Sequence, residues 1–513
     1  MKKIYIVLLL LFCTQYSRAI EIVELPLAKS DKIVLKLMFR GGSMSDPAEL
    51  KGISALTASL IAEGGTMQYT SSYIKEVTYP WAARWSVSVD KEVTIFTFEF
   101  HKDHLELFFP IIKGLITQPS MDKSDYTRLK SNQENYVNQI IRSSSDEEFS
   151  KMGLEDYLFR NTNYQSMTDG TTNGLAKITL EKVKEYYTNY YTKDKLTIGI
   201  AGNYDAKFLK MINDAFEKLP AKGMDIPAPG IAATPDGIQV EIIAKENALG
   251  SAVFMGFPLP LTRKSDEFAA LMVANSFLGE HRKSYSKLYQ KIRQERSMNY
   301  GDYSYIEWYN NGGQNMLPPP GCPRSSNYFS IWLRPVQTAE GLKKQYPELA
   351  DIQVGHAHFA IRMALYELQK LTENGMTQAD FELTKKFLKS YMKLYVQTPS
   401  RQLGYLMDSK FYGRKNYITE MGALLDKVTL EEVNAAMKKY WQSKNMFVTI
   451  VTDDSEAQPL MNSMLTNSKS PMSYSNALKA TLPPEILRED ETVSDYKLNV
   501  KNVRIVKSDD MFR

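Results

Sequence analysis

The five histidines of this 513-residue chain are residues whose types and spacing could support metal or acid–base chemistry. His101 and His104 share a predicted strand-to-helix turn, His356 and His358 begin a predicted helix, and His281 lies between Gly-Glu and Arg-Lys. Side chains two positions apart on a helix point in nearly opposite directions, so His356 and His358 could chelate one ion only from a strand. The spacing therefore predicts structural or solvated histidines, and it assembles no Ser-His-Asp or Cys-His set.

The overall composition is that of an ordinary globular protein, with 43% hydrophobic and 24% charged residues. The 63 basic and 59 acidic residues give a formal charge of +4, which is too small for the basic field of a nucleic-acid binder. Cys13 and Cys322 are the only cysteines, and this excludes a disulfide framework or a cysteine-rich zinc module. We expect no nucleic-acid partner, and we expect Cys322, in a proline-rich run, to be an inert loop thiol.

The first 19 residues have the pattern of a signal peptide. Two lysines precede an apolar run over residues 4–12, and Ser17-Arg18-Ala19 offers a small-residue cleavage site. The run is shorter than the ~20 apolar residues that span a bilayer, and no later run is long enough either. The pattern predicts export to the periplasm or cell envelope with no transmembrane segment. Lipid anchoring at Cys13 is the less favoured alternative, because a bulky phenylalanine precedes it.

An internal repeat predicts the architecture. Residues 178–183 (ITLEKV) match residues 428–433 (VTLEEV) at an offset of 250 positions, and apolar strands over 196–201 and 446–451 follow at the same offset. Each copy begins with a threonine that can cap a helix, and acidic residues follow in the first turn. The repeat predicts two related α/β halves.

The fold class predicted from the chain is α+β, with two duplicated sandwich halves in which helices pack on an antiparallel sheet. Long helices occur in pairs, which does not fit a doubly wound sheet. Proline and glycine mark the linker between the halves. The predicted organisation is a signal peptide (1–19), an N-terminal half (20–218), a linker (219–236), a C-terminal half (237–466) and an extended C-terminal arm (467–513) with one late strand over 503–506.

Three segments resemble the pitrilysin/insulinase-type zinc peptidases, and the mitochondrial-processing-peptidase-like members in particular. Residues 52–66 (GISALTASLIAEGGT) are similar to the family's first helix, residues 279–300 to its second-half signature, and residues 169–180 to the stretch before its late helix and strand. The resemblance extends from about residue 25 to about residue 455. It implies that the two halves form a clam-like chamber.

The resemblance also implies a degenerate zinc motif. Active members hold zinc with two histidines four apart on the first helix and use a glutamate between them to activate water. The matching positions here are Ala55, Ala58 and Ser59, and a one-residue slip would put Leu56, Ser59 and Leu60 there instead. Neither alignment supplies an imidazole, so we expect no catalytic residue, no metal and no cofactor in this chain.

A second glutamate on a later helix completes the zinc site in active members. Glu134 lies on the corresponding predicted helix of this chain, where an ordinary exposed glutamate is the simpler interpretation. Its correspondence to the family's ligand position stays open.

Arg293 and Tyr300 match the second-half signature, in which an arginine is followed seven residues later by a tyrosine. In the family this pair reaches across the chamber toward the scissile peptide. The guanidinium can hold a carbonyl group and the phenol can stabilise an oxyanion. The alternative is an ion-pairing helix residue and a core aromatic. Residues 300–308 then alternate like a strand, and edge strands in this family can pair with an extended peptide.

These observations favour an exported, non-catalytic peptidase homologue. It would bind a peptide or unfolded polypeptide, or it would partner a zinc-bearing homologous subunit or another copy of itself, supplying Arg293 and Tyr300 in trans. Zinc is then expected only on the partner, and the chain alone is expected to be inactive. Two alternatives stay open: a structural or binding core-type subunit without a proteolytic role, and a zinc metalloendopeptidase with non-standard ligands.

Overall fold

The computed structural model describes residues 20–307 and 325–513. The predicted signal segment 1–19, with Cys13, and the loop thiol Cys322 lie outside the described residues. The described part of the chain contains eleven strands: β1 Glu21–Pro26, β2 Lys32–Arg40, β3 Arg84–Val89, β4 Val93–His101, β5 Leu196–Gly202, β6 Ile238–Lys245, β7 Ser251–Pro258, β8 Asp302–Tyr305, β9 Tyr328–Val336, β10 Met446–Asp453 and β11 Val500–Lys507.

Nineteen α-helices accompany these strands within the same residues. They are α1 Ile53–Glu63, α2 Ser71–Thr78, α3 Leu105–Thr117, α4 Lys123–Asn135, α5 Ile141–Ser143, α6 Asp146–Leu158, α7 Thr172–Lys177, α8 Leu180–Tyr190, α9 Ala206–Phe216, α10 Glu267–Gly279, α11 Ala339–Gln345, α12 Ala357–Asn374, α13 Gln378–Tyr395, α14 Pro399–Phe411, α15 Tyr417–Lys427, α16 Leu430–Tyr440, α17 Asp454–Leu465, α18 Asn476–Thr481 and α19 Pro484–Ser494. Two wider helical turns, of the π type, occupy Tyr136–Ile140 and Tyr289–Gln294.

The strands form two sheets with the same internal order. The first sheet runs β1-β5-β2-β4-β3 and the second runs β11-β6-β10-β7-β9-β8. Without β11, each strand of the second sheet has a counterpart in the first. The α+β class with two duplicated halves is therefore confirmed. The sheets are not purely antiparallel, however, because β5 runs parallel to β1 and β10 runs parallel to β6. Helix α8 precedes β5, which lies beside β1. In the same way, helix α16 precedes β10, which lies beside β6.

The sequence repeat is visible in the coordinates. Helices α8 and α16 begin 250 residues apart, as do the strands β5 and β10 that follow them. Thr179 caps α8 by accepting a hydrogen bond from the Lys182 amide, and Thr429 caps α16 by accepting one from the Glu432 amide. The Glu432 carboxylate accepts the Thr429 amide at 2.8 Å in return, which completes a capping box.

Each half also packs one of its helices on the sheet of the other half. Helix α6 contacts β7 and β10 of the second sheet, and helix α14 contacts β1, β2 and β5 of the first. Leu403 and Met407 of α14 are buried among apolar side chains of the first sheet. Tyr157 of α6 packs against Phe447 of β10, with ring centroids 4.5 Å apart. The two halves therefore share apolar cores.

The sequence predicts an extended C-terminal arm, but much of the arm folds into α18, α19 and β11. The acidic run over residues 488–492 lies on α19, where Val493 is fully buried. The strand expected over 503–506 is present within the longer β11, which pairs in parallel with β6. These elements are stabilised mainly by contacts with distant segments, so a local pattern gives little sign of them. Within residues 20–307 and 325–513, no helix combines the length and the apolar character that crossing a membrane requires.

Candidate functional site

Helix α1 is the element on which the family resemblance would place a metal. It begins after Gly52, whose φ of +100° lies in the left-handed region. The buried carboxylate of Asp46 accepts hydrogen bonds from the amides of Gly52 (2.7 Å) and Ser54 (3.1 Å) at the helix start. Burial raises the pKa of Asp46 to about 6, and these hydrogen bonds oppose the rise. The start of the helix is thus anchored by a buried carboxylate, each of whose oxygens accepts a backbone amide.

The matched ligand positions on α1 do not fit a zinc ion. Ala55 and Ala58 are buried and Ser59 is half-buried, while Leu56 and Leu60 of the slipped alignment are fully buried. Zinc requires imidazole, thiolate or carboxylate ligands, and neither alignment provides one. No cluster of three histidine, cysteine or acidic side chains suited to a metal occurs within residues 20–307 and 325–513. Helix α1 therefore acts as a packing element.

Helix α4 packs against α1, but Glu134 is not the side chain that contacts it. Glu134 is partly exposed, with Lys130 Nζ 3.7 Å from its carboxylate. The neighbouring Gln133 is buried, and its amide donates to the carbonyls of Gly52 (2.9 Å) and Asp169 (2.8 Å). Sequence reasoning missed Gln133, because a single buried glutamine on a polar helix leaves no periodic signal.

Two of the five histidines are buried and neutral. His356 Nε2 lies 3.0 Å from the Ser473 carbonyl oxygen, and His358 Nδ1 lies 2.9 Å from Ser463 Oγ. Burial lowers the pKa of His356 to about 4 and that of His358 to about 3. Both imidazoles therefore contact residues near the C-terminus, away from α1.

The other three histidines contact Asp103 or aromatic rings. His101 Nδ1 accepts the Asp103 amide at 3.3 Å, and the His104 ring stacks on Trp81 with centroids 5.4 Å apart. His281 stacks on Tyr303 at 4.3 Å, and burial lowers its pKa to about 4.

Arg293 and Tyr300 lie together, as the second-half signature suggested. Arg293 is in the wide turn Tyr289–Gln294, and its guanidinium carbon is 5.7 Å from the centroid of the Tyr300 ring. This distance is within the range of a cation–π contact. The Tyr300 side chain is 74% exposed, so it is not a core aromatic. No carboxylate forms an ion pair with Arg293 in the described part of the chain. The pair is therefore organised and accessible.

The backbone before β8 holds Tyr300 in place. Ser297 follows the wide turn and has a φ of +53°, in the left-handed region. The Asn299 amide group donates to Asp302 Oδ1 (2.7 Å) and to the Arg334 carbonyl (3.0 Å), and Asn299 Oδ1 accepts the Gly301 amide (3.0 Å). Both neighbours of Tyr300 are thus fixed, although Tyr300 itself is exposed.

The strand expected over 300–308 is shorter, and although it is the last strand of the second sheet it is buried; residue 308 lies outside the described residues. Every residue of β8 is buried, and Asn275 of α10 donates to the Ser304 carbonyl at 3.0 Å. Strand β3 is an edge strand of the first sheet and pairs only with β4 among the described strands; every second residue of it is exposed. Trp85 of β3 donates from Nε1 to the Ala62 carbonyl of α1 at 2.7 Å. The alternating residues 84–89 (RWSVSV) were the missed signal for this strand.

Two family models match the chain in succession. The model described as insulinase (peptidase family M16) matches residues 25–172, and the model described as the peptidase M16 inactive domain matches residues 177–388. Together they account for most of the chain. This protein belongs to the insulinase family. The resemblance seen in the sequence is therefore confirmed.

Curated insulinase-family relatives include proteins named as inactive. A non-peptidase homolog, YmxG of Helicobacter pylori, is 23% identical over 82% of this chain and 88% of its own length. An uncharacterized zinc protease, YmxG of Bacillus subtilis, is 23% identical over 53% of this chain and 64% of its own length. A probable inactive metalloprotease, YmfF of Bacillus subtilis, is 22% identical over 40% of this chain and 48% of its own length. The names of the first and third relatives support a non-catalytic insulinase-family homologue.

Solved structures show the same fold. A peptidase M16 inactive domain from Pseudomonas fluorescens has a TM-score of 0.71 at 17% identity, covering 85% of this chain and 96% of its own. A protease from Helicobacter pylori has a TM-score of 0.69 at 14% identity, covering 85% of this chain and 97% of its own.

Proposed function

We propose that this protein is an exported, non-catalytic insulinase homologue that binds extended peptides and partners a zinc-bearing homologous subunit. In this proposal the chain supplies Arg293 and Tyr300 to a site whose metal is held by the partner. The pattern of the first 19 residues supports export to the periplasm or cell envelope.

The observation that carries the proposal is a contrast between the two halves. Helix α1 has alanine, alanine and serine at the ligand positions, so this half cannot hold the metal. Arg293 and Tyr300 of the other half are in contact and accessible.

The two side chains suit the stabilisation of a peptide under attack. A guanidinium binds a carbonyl or carboxylate oxygen through forked N–H groups, and a phenol donates a hydrogen bond to a developing oxyanion. The partner subunit would supply the metal-activated water. The contribution of this chain is to orient the peptide and to stabilise negative charge on its carbonyl oxygen.

Strand β3 supports the peptide-binding part of the proposal. It is one of the two edge strands of the first sheet, and Trp85 links it to α1. An extended peptide can add to such an edge through main-chain hydrogen bonds, whatever its sequence. This mode of binding suits an unfolded polypeptide better than a small folded ligand.

The test begins with co-purification of the full chain from its native envelope and identification of any homologous subunit that carries the zinc motif. Peptide cleavage by the recovered pair is then measured with and without a chelator. We expect Arg293→Ala and Tyr300→Phe to leave the melting temperature unchanged and to lower cleavage by about a hundredfold or more, the usual order for loss of one oxyanion donor. Tyr79→Phe, at an 86% exposed tyrosine of the first half, is the matched control.

Two results would contradict the proposal. Chelator-sensitive cleavage by the isolated chain would show a zinc site of its own, as the non-standard peptidase alternative requires. Unchanged activity of the pair after both substitutions would show that Arg293 and Tyr300 are architectural, as in a core-type structural subunit.

A further inference from the structure

Helix α19 of the C-terminal arm contacts the segment that carries the Arg293–Tyr300 pair. The guanidinium of Arg296 is completely buried there. Its Nε lies 2.7 Å from Asp490 Oδ1, and its Nη2 lies 2.8 Å from Glu489 Oε2. Glu295 Oε2 lies 3.2 Å from Nη1, so three carboxylates, two of them on consecutive residues of α19, compensate a buried cation that lies between Arg293 and Tyr300 in the chain.

Glu489 also binds the other side of the wide turn. Lys291 Nζ lies 3.1 Å from Glu489 Oε2 and 3.1 Å from Glu295 Oε2. Arg296 donates from Nη1 to the Lys291 carbonyl at 2.8 Å, which closes the network across the turn. Glu489 is therefore shared by cations two residues before Arg293 and three residues after it.

The two carboxylates are themselves held in position. Tyr474 donates its hydroxyl to Asp490 Oδ2 at 2.8 Å. The buried Arg362 of α12 donates to the Ser494 carbonyl at the end of α19 and to Ser470 Oγ at 2.7 Å. Because several anchors fix α19 to the body of the second half, α19 can act as a rigid support for the wide turn.

We infer that Glu489 and Asp490 are positioning residues for the Arg293–Tyr300 pair, supplied by an arm that lies outside both family-model matches. The role of the pair in peptide chemistry rests on the proposed function; the positioning itself does not. Removal of a carboxylate leaves the Arg296 guanidinium buried without full compensation, which is strongly unfavourable. The backbone between Lys291 and Tyr300 must then move so that water can reach the Arg296 guanidinium. The contact between the Arg293 and Tyr300 side chains is then lost.

The test uses the full chain labelled with 3-fluorotyrosine and read by fluorine NMR. The Tyr300 resonance is assigned by its absence in Tyr300→Phe. We expect Asp490→Asn and Glu489→Gln to shift or broaden this resonance and to accelerate hydrogen exchange across residues 289–301 by about tenfold or more, since loss of an anchor promotes local opening. Asp490→Glu, which keeps the charge, should restore part of the exchange protection.

Glu491→Gln is the matched control. Glu491 is the next residue on α19, but its carboxylate is exposed and lies 2.7 Å from Lys469 Nζ. Its substitution should leave both the Tyr300 resonance and the exchange of residues 289–301 unchanged. Glu489→Gln retains the Asp490 contact to Arg296, so it keeps the experiment informative if Asp490→Asn fails to fold. An unchanged Tyr300 resonance in a folded Glu489→Gln or Asp490→Asn variant would overturn the inference.

The outcome is separable from that of the proposed function. Neither readout depends on a partner or on peptide cleavage. If the Tyr300 resonance responds while Arg293→Ala leaves cleavage by the pair unchanged, the positioning role stands and the proposed function fails. If Arg293→Ala abolishes cleavage while Glu489→Gln and Asp490→Asn affect neither readout, the proposed function stands and the positioning role fails.

Discussion

Ala55 and Ala58 illustrate how the identity of one side chain changes the role of a helix. Their methyl groups are buried against the first-half core, where an active family member would direct metal-binding groups toward its substrate. A methyl group cannot coordinate a cation, but it contributes apolar burial at no cost in side-chain entropy. Helix α1 therefore packs as the family's first helix does, but these positions offer no metal-binding side chain.

Glu280 is a buried carboxyl that the proposed function does not use. It follows α10, and Ser276 Oγ donates to its Oε2 at 2.8 Å, while Oε1 has no hydrogen-bond partner among the described residues. Burial raises the pKa of Glu280 to about 8, and the hydrogen bond from Ser276 opposes this rise. The carboxyl is therefore protonated in the folded protein near neutral pH, whereas it is ionised in the unfolded chain.

This raised pKa predicts a loss of stability as the pH rises. Between about pH 6.5 and 8.5, the folded state binds more protons than the unfolded state, so the free energy of unfolding should fall by about 2 kcal/mol. Glu280→Gln should lower this dependence by about 2 kcal/mol over the same range, and the exposed Glu106→Gln should not. Urea unfolding at a series of pH values measures the pH dependence of the free energy of unfolding. The window avoids the buried histidines, whose lowered pKa values destabilise the fold only below about pH 6.5. An unchanged slope in Glu280→Gln would refute the prediction.

At the scale of elements, the two sheet edges differ although their sheets share one topology. Strand β8 is buried and accepts a hydrogen bond from Asn275, whereas β3 has a free side. The Asp90 amide donates to the Val93 carbonyl at 3.0 Å, which closes the hairpin between β3 and β4. Because amides alternate along a strand, those of Ser86 and Ser88 point toward β4 and that of Val87 points outward.

Val87→Pro therefore removes an outward amide without breaking the pairing of β3 with β4. Proline is tolerated at edge positions whose N–H faces solvent. We expect this substitution to weaken binding of a fluorescent unfolded polypeptide by about tenfold or more, because strand addition relies on main-chain hydrogen bonds. Val87→Ala, which also loses the valine side chain but keeps the amide, should bind normally. Fluorescence anisotropy measures the affinity, and equal binding by the two variants would place the peptide elsewhere.

At the scale of the whole molecule, the exchange of α6 and α14 makes the two halves one folding unit. Leu403 of α14 is fully buried against the first sheet, and Gly199 of β5 leaves room for the neighbouring Met407. The C-terminus adds a further link, because Arg142 donates to the Met511 carbonyl at 2.6 Å and Phe512 packs on Phe149. Separate unfolding of either half would expose apolar surface of both.

Leu403→Ala should lower the free energy of unfolding by about 2–5 kcal/mol, the range for a buried leucine. The transition should stay single, with far-ultraviolet circular dichroism and tryptophan fluorescence coinciding during urea unfolding. Leu383→Ala, at a 53% exposed leucine of α13, should have little effect. Two separate transitions in the unmodified protein would show that the halves unfold independently.

The amino-acid sequence by itself determined the features that depend on local pattern. The α+β class, the repeat of α8–β5 in α16–β10 and the threonine caps follow from residues close together in the chain. The lack of imidazoles on α1 is equally a property of the sequence, since ligand spacing on one helix can be read directly. The spacing of Arg293 and Tyr300 also pointed to a pair, although not to its geometry.

Only the tertiary structure decided which side chains meet across long separations. It showed Gln133 instead of Glu134 against the start of α1, a half-exposed edge strand β3 and a buried edge strand β8, and a folded arm where an extended one was expected. It also placed Asp490 against Arg296, a contact that links residues 194 positions apart. Such contacts depend on burial and charge compensation between distant segments, and neither leaves a periodic trace in the local sequence.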